Sequence, residues 1–181
     1  MKRYRNHVKW IVVMGILCCV ALSGAEGPKR DLDVVLSRFQ GYHVMTLEER
    51  DADVRTFIRQ HFPKENPSIV HADFDGDGRP DYAVLIKDSK STKLVVLLCP
   101  AEAECKSVYE VDVTTDAAGV YIRPVPIGSR VSQTDAIDTD RYPPPVRLSS
   151  TGIEVTYFEK AKVVYYWNRK TKKITAVQTE E

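Results

Sequence analysis

The sequence has few of the residues that carry covalent or transition-metal chemistry: 181 residues include four histidines and four cysteines. It has no His-Glu-x-x-His, Cys-x-x-Cys or Gly-x-Ser-x-Gly pattern, the signatures of zinc proteases, redox dithiols and serine hydrolases. His43, His61 and His71 fall on different predicted elements, so their spacing does not indicate a three-histidine metal site. We therefore expect a protein that is not an enzyme.

Candidate nucleophiles and acid–base pairs are scarce as well. The Ser-Ser-Thr run at 149–151 precedes Gly152 in a predicted turn, and no His and Asp partners are recognisable around it. Glu154 and Glu159 are five residues apart on a predicted strand, which places them on opposite faces. The pattern favours turn residues and solvated strand positions over a catalytic site.

The chain also lacks a membrane-length apolar run and an excess of positive charge. The apolar run from Trp10 to Leu22 has about 13 residues, fewer than the roughly 20 that span a bilayer. Basic residues precede it and Ser23-Gly24-Ala25 follows it, which predicts a secretory signal peptide over residues 1–25, cleaved near Ala25; a retained membrane anchor is the alternative. Cleavage removes four basic residues and leaves a net charge of about −3, which argues against a nucleic-acid partner. We expect a periplasmic or secreted protein with no stable membrane insertion.

Two cysteines, Cys99 and Cys105, remain after such cleavage. An exported chain occupies a compartment in which such a pair oxidises, so we expect one disulfide between them. Free or metal-binding thiols are the competing interpretation. The 156 residues from 26 to 181 are enough for one globular domain with its own core.

Hydrophobic periodicity divides this domain into a helical segment, 26–67, and a β-rich part, 68–181. Apolar residues at helical spacing predict a first helix over 31–39 and a second over 51–62, starting as early as Leu47 because Thr46 and Glu49 have capping-box spacing. Strand patterns follow at 69–72, 82–87, 93–99, 106–113, 121–125, 153–158, 163–167 and 174–178. The proline-rich segment 128–145 is predicted to be a long loop or flap. The expected fold is α+β and mainly β, with two short N-terminal helices packed on an antiparallel meander of about seven strands.

The most informative stretch is an acidic loop at 73–81. Its carboxylates occupy positions 1, 3, 5 and 9 of one short loop, in the order Asp73, Asp75, Asp77 and Asp81. Alternate carboxylates repel one another unless a hard cation lies between them, and oxygen ligands of this kind suit Ca2+. Gly76 and Gly78 permit a tight turn, and the carbonyl of Arg79 is the natural main-chain ligand. An acidic turn without a metal is the alternative.

The end of this loop distinguishes two kinds of calcium site. An EF-hand needs a bidentate Glu at position 12, but that position is Val84, inside a buried strand pattern. The Asp-x-Asp-x-Asp-Gly-x-x-Asp pattern followed by an apolar strand resembles the FG-GAP/VCBS type of repeat. The resemblance covers residues 69–86 and implies a calcium loop joining two strands, with Asp73, Asp75, Asp77, Asp81 and the carbonyl of Arg79 as ligands. One copy of the loop excludes a full propeller.

These features predict an exported, non-catalytic domain with a structural calcium site that binds an unknown protein or glycan partner. A cluster of aromatic residues in the C-terminal hairpin, from Tyr157 to Trp167, is a candidate contact surface because aromatic rings supply rigid contact area. The pattern favours a structural role instead, in which the tyrosines cover the edge of the sheet with their hydroxyls in water. The alternative is an enzyme, or an inhibitor of one, that acts on envelope polymers and uses segment 128–145 as a flap.

Overall fold

The computed structural model of the protein describes residues 28–101, 103–114, 117–134 and 144–180. The predicted signal peptide, residues 1–25, lies outside these ranges. The helices are α1 (Pro28–Leu36) and α2 (Ala52–His61), with 3-10 turns at Leu47–Glu49 and Ala117–Gly119. The strands are β1 (His43–Val44), β2 (Ile69–Ala72), β3 (Asp81–Lys87), β4 (Thr92–Leu98), β5 (Lys106–Thr114), β6 (Val120–Val125), β7 (Arg130–Val131), β8 (Val146–Arg147), β9 (Gly152–Tyr157), β10 (Ala161–Asn168) and β11 (Lys173–Glu180).

The first sheet is built around β3, whose residues are buried along almost its whole length. Strand β4 pairs antiparallel with one edge of β3, and β5 pairs with the far edge of β4. The other edge of β3 is shared: β2 pairs with the half that begins at Asp81, and β1 pairs with the half that ends at Lys87. The acidic loop therefore connects two neighbouring strands, β2 and β3, at one end of this sheet.

The second sheet contains the C-terminal strands in the order β11-β10-β9-β6, all antiparallel. The prediction of one meander needs correction, because the described strands form two sheets of five and four strands and a separate β7–β8 pair. The reason is burial: β3 and β4 bury consecutive residues on both faces, so each face needs its own covering layer.

The two sheets enclose the main core. Leu85 and Val96 from the first sheet belong to one buried cluster with Ile122 and Val155 from the second. At one side the sheets come close enough for the N–H of Ile122 to donate a hydrogen bond of 2.9 Å to the carbonyl of Pro67, just before β2. The result is a two-sheet sandwich.

Smaller elements cover the outer faces of this sandwich. Leu32 and Val35 of α1 pack on the outer face of the first sheet. Val54 and Ile58 of α2 pack on Tyr121, which points away from the main core. The β7–β8 pair lies in a cluster with outward residues of the second sheet.

The segment from 128 to 145 is not wholly a loop. Arg130 and Val131 form a strand that pairs with residues 146 and 147, although proline-rich composition predicted none there. Residues 135–143 of this segment lie outside the described part of the chain. Within the described ranges, no helix is long and apolar enough to cross a bilayer.

Candidate metal centre

The loop between β2 and β3 gathers carboxylates from three of its aspartates. Ala72 and Asp81 are the last paired residues of the two strands, so the loop begins and ends at adjacent positions. One carboxylate oxygen from each of Asp73, Asp75 and Asp81 lies within 4.8 Å of the others. Asp77 is not part of this group. The loop therefore presents three convergent, negatively charged oxygen donors on one side.

Backbone N–H groups fix the orientation of these carboxylates. Asp73 accepts hydrogen bonds from Gly76 N at 2.6 Å and from Gly78 N at 2.9 Å, one on each carboxylate oxygen. Asp75 accepts from Asp77 N at 3.0 Å, and Asp77 accepts from Arg79 N at 2.8 Å. A carboxylate has about four lone-pair sites, so these bonds leave capacity for a cation.

The turn depends on its two glycines. Gly76 and Gly78 have φ angles of +84° and +86°, in the left-handed region where side chains are disfavoured. This conformation brings the N–H groups of both glycines onto Asp73. The glycines thus have the role that the sequence predicted for them.

Asp81 is the most enclosed of the three, with 1% of its surface exposed. One of its oxygens accepts from Phe74 N and the other from Cys99 N, each at 2.9 Å. Burial and, to a smaller extent, the charges of Asp75 and Asp77 outweigh the lowering effect of the two N–H groups, and together they raise the pKa of Asp81 to about 6. Its environment therefore disfavours the ionised form relative to an exposed aspartate, and nearby positive charge would offset this effect.

The pKa of Asp75 is also raised by burial, and neighbouring negative charge contributes to the shift. Its partial burial raises its pKa, and the neighbouring carboxylates Asp77 and Asp73 add to this effect against a hydrogen bond from the backbone. The donors are all hard oxygens, and no sulfur or imidazole belongs to the group. Such a set fits Ca2+ better than zinc or copper, which favour nitrogen and sulfur ligands.

The acidic loop is docked onto the second sheet. Phe74 points into the main core, and its carbonyl accepts a hydrogen bond of 2.6 Å from the buried hydroxyl of Ser150. The carbonyl of Asp73 accepts from Thr151 N at 3.1 Å. Ser150 and Thr151 immediately precede β9, so the loop bridges the two layers of the sandwich.

A positively charged side chain from the second sheet, that of Arg169, lies against the acidic loop. Arg169, in the turn between β10 and β11, donates a hydrogen bond of 3.1 Å to the carbonyl of Ser149. A Cβ atom placed on Gly76 would lie 2.5 Å from the guanidinium of Arg169, so this side chain fills the space beside the glycine.

Residues 149–151 were predicted only as a turn, and their contacts with the loop are non-local. The local signal for docking was Phe74, an apolar residue inside an acidic run.

The predicted disulfide is confirmed: Cys99 and Cys105 are bonded through their sulfur atoms. Cys99 immediately follows β4 and Cys105 immediately precedes β5. Cys99 is also the residue whose N–H holds Asp81. The disulfide is therefore adjacent to the acidic loop in space, a relation that the sequence did not indicate.

The other candidate residues lie apart from this loop or on its edge. His43 bonds to Glu49 at 2.9 Å, His61 contacts the ring of Phe57, and His71 stacks on Tyr82. The aromatic residues of the C-terminal hairpin divide between the faces of the second sheet, as strand alternation requires. Tyr165 is buried in the main core with Trp167 packed against the same cluster, whereas Tyr166 packs toward the β7–β8 pair.

No family model matches the chain, and no curated protein or solved structure matches it.

Proposed function

We propose that the protein is an exported binding domain whose acidic loop holds a structural Ca2+ ion. The carrying observation is the convergence of the Asp73, Asp75 and Asp81 carboxylates within 4.8 Å at a strand-to-strand turn. The resemblance of residues 69–86 to an FG-GAP/VCBS loop supports the same ligand set, with Asp77 and the carbonyl of Arg79 completing it.

The ion would supply positive charge at the point where the three carboxylates converge. Bound there, it would relieve the repulsion among the carboxylates and favour the ionised form of Asp81. The loop is joined to Ser150 and Thr151 of the second layer, so its ordering would stabilise the contact between the two sheets. Affinity of about 10⁻⁴ to 10⁻³ M, typical of extracellular modules, is sufficient for this role.

Calcium titration of the purified protein by calorimetry, together with thermal melting, tests the proposal. We expect saturable heat of binding and a rise in melting temperature, because a ligand that binds only the folded state stabilises it by about 2.7 kcal/mol at a hundredfold excess over Kd. Asp75→Ala should abolish both effects, since this carboxylate belongs to the convergent group. Asp77→Ala tests the fourth side-chain ligand that the resemblance implies.

Asp88→Ala is the matched control. Asp88 also sits in a turn and accepts hydrogen bonds from Lys90 N and Ser91 N, each at 2.7 Å, but it is outside the carboxylate group. It should lose some stability and keep calcium binding. Absence of heat and of any melting shift in the unaltered protein, at calcium about a hundredfold above the expected Kd, would show that the aspartates are turn residues only and remove the proposed function.

Export is the second part of the proposal, with the protein periplasmic or secreted after cleavage near Ala25. A disulfide between Cys99 and Cys105 supports it, since such bonds persist in oxidising compartments. The intact mass of the protein recovered from its native host tests it. The expected mass is that of a chain that begins at residue 26. A chain that keeps residues 1–25 and is found in the cytosolic fraction would contradict export.

The partner is proposed to be a protein or a glycan. The hairpin aromatic residues do not form one flat platform, because Tyr165 is buried and Trp167 packs on the core. Cosedimentation with cell-envelope polysaccharide, with and without calcium, tests the glycan class. Binding that requires calcium and fails in Asp75→Ala would support it, and absence of binding in both conditions would leave the protein class.

A further inference from the structure

We propose that the Cys99–Cys105 disulfide sets the calcium affinity of the acidic loop, so that disulfide formation and metal binding favour each other. The inference rests on the proposed calcium function. The physical link is the hydrogen bond from Cys99 N to a carboxylate oxygen of Asp81. Cys99 thereby acts as a positioning residue through its main chain, and its side chain is fixed by the bond to Cys105.

Asp81 is held from both flanking strands. It is the first residue of β3, at the end of the β2–β3 ladder, and its carboxylate accepts hydrogen bonds from two main-chain N–H groups there. Phe74, two residues beyond β2, donates to one oxygen, and Cys99, one residue beyond β4, donates to the other. With 1% of its surface exposed, Asp81 has little access to water as a substitute donor. The orientation of the Asp81 carboxylate therefore depends on the positions of the N–H groups of Phe74 and Cys99.

The disulfide determines where the second N–H group is. Leu98 pairs with Lys106 in the last step of the β4–β5 ladder, so Cys99 and Cys105 occupy the next opposed positions and the covalent bond closes the ladder there. Cys105 is buried in one cluster with Tyr82, the residue that follows Asp81. The bond thus anchors the backbone at Cys99 to the same part of the sheet that carries the ligand.

Reduction removes this anchor. A dithiol reductant transfers two electrons and two protons to the bond, which yields the thiols of Cys99 and Cys105 and the oxidised, cyclic disulfide of the reductant. Cys99 is the more exposed of the two cysteines, whereas Cys105 is buried. Without the bond, no covalent link closes residues 99–105. The N–H of Cys99, one of the two donors to Asp81, is then no longer fixed in position. A less organised ligand binds more weakly, because ordering it opposes association.

Calcium calorimetry on the oxidised protein, on the dithiol-reduced protein and on Cys105→Ser tests the inference. We expect Kd to rise about tenfold or more in the last two, within the usual range of coupling between sites. The reciprocal effect must have the same size: in a buffer of a dithiol and its disulfide, saturating calcium should favour the protein disulfide by the same factor. In Asp75→Ala, calcium should leave that redox equilibrium unchanged.

Two further variants separate this coupling from a general loss of stability. Tyr157→Phe removes a hydrogen bond of 3.0 Å to the carbonyl of Val113, which lies toward the end of the β4–β5 ladder opposite to the disulfide. It should lower the melting temperature while Kd stays the same. The double variant Cys99→Ala/Cys105→Val keeps an apolar side chain at the buried position and removes the bond. It should show the raised Kd, and thus the weaker calcium binding, of the reduced protein.

The outcomes are distinguishable. Calcium binding of equal strength in the oxidised, reduced and Cys105→Ser proteins would overturn the inference and leave the proposed function standing. Absence of binding in the oxidised protein would overturn both. Failure of Cys105→Ser and of the double variant to fold, judged by circular dichroism, would assign the disulfide to global stability and also overturn the inference.

Discussion

The Nε atom of Arg50 donates a hydrogen bond of 2.7 Å to the carbonyl of Val120, which joins the turn before α2 to the first residue of β6. The rest of the guanidinium reaches the carbonyls of Thr46 and Pro67 and the hydroxyl of Ser68, at 2.8 to 3.0 Å. Arg50 is 2% exposed. Burial lowers its pKa to about 10, against the raising effect of the Glu49 charge, so it remains charged at neutral pH. A buried cation therefore connects the N-terminal segment to both sheets.

Replacing Arg50 by lysine should destabilise the protein by roughly 3 kcal/mol. A lysine ammonium cannot reproduce the planar fork, and each buried acceptor that loses its donor costs about 1–3 kcal/mol. Urea unfolding of Arg50→Lys measures the loss. Arg59→Lys is the control, since Arg59 lies on the exposed side of α2 with 59% of its side chain accessible. Equal stability of the two variants would show that the buried contacts of Arg50 contribute little.

Glu49→Ala should cost about 1 kcal/mol at neutral pH, the usual net contribution of a hydrogen bond, because the variant loses the carboxylate acceptor at the third position of the 3-10 turn. The Glu49 carboxylate accepts from Thr46 N at 2.7 Å and from the Thr46 hydroxyl at 3.0 Å. Burial by itself raises the pKa of Glu49, but these hydrogen bonds and His43 outweigh it and lower the pKa to about 2. Glu48→Ala, at an exposed neighbour, should have a smaller effect.

The pH dependence of the Glu49 effect has a defined sign. Because the pKa is depressed in the folded protein, the stabilisation is fully present above the unfolded value of about 4.3 and is lost as pH falls toward 2. The stability difference between the unaltered protein and Glu49→Ala should shrink over that window in urea titrations. A difference that stays constant from neutral pH down to pH 2 would contradict the role of the ionised carboxylate.

Gly76→Ala should destabilise the protein more than Gly78→Ala. Both positions have positive φ, and a side chain there costs about 1–2 kcal/mol. A Cβ on Gly78 meets nothing within 4 Å, whereas a Cβ on Gly76 displaces the guanidinium of Arg169 and breaks its bond to Ser149. Thermal melting of both variants measures the difference.

Arg169→Ala provides the test of that steric explanation. In its background the space beside Gly76 is open, so Gly76→Ala and Gly78→Ala should cost the same. A double-mutant cycle of Gly76→Ala with Arg169→Ala should therefore show coupling, while the cycle with Gly78→Ala should be additive. Additivity in both cycles would mean that Arg169 does not limit the residue at position 76.

Local features of the sequence predicted local features of the structure. The Thr46–Glu49 spacing gave a capping box in which Thr46 N donates to the Glu49 carboxylate, but this box begins the separate 3-10 turn Leu47–Glu49, and α2 starts only at Ala52. The two cysteines form the expected disulfide. The aspartates and glycines of the acidic loop interact within a few residues of one another, so their turn could be inferred from spacing alone. In each case the determining contacts lie close in the chain.

Features that depend on distant contacts were missed. The division into two sheets follows from which strands pair, and β6 pairs with β9 across the whole of segment 128–145. Nothing local marks Arg50 as buried, because its acceptor Val120 is 70 residues away. The link between Cys99 and Asp81 is likewise set by the alignment of β3 and β4.

Asp81 gives the last prediction, a pH dependence opposite in sign to that of Glu49. Its pKa is raised to about 6, from about 3.9 in the unfolded chain, so between these values the folded state holds a proton that the unfolded state has released. This group therefore makes unfolding easier as pH rises through that window in calcium-free protein. If the loop holds calcium as proposed, the ion would compete with the proton, so calcium affinity should rise with pH over the same range. Carboxyl NMR should show an Asp81 titration midpoint near 6 without calcium and a lower midpoint with calcium.

Asp75→Ala should lower the calcium-free midpoint of Asp81, because the variant removes one repelling charge. A midpoint of about 3.9 in the unaltered protein would contradict the burial of a poorly neutralised carboxylate.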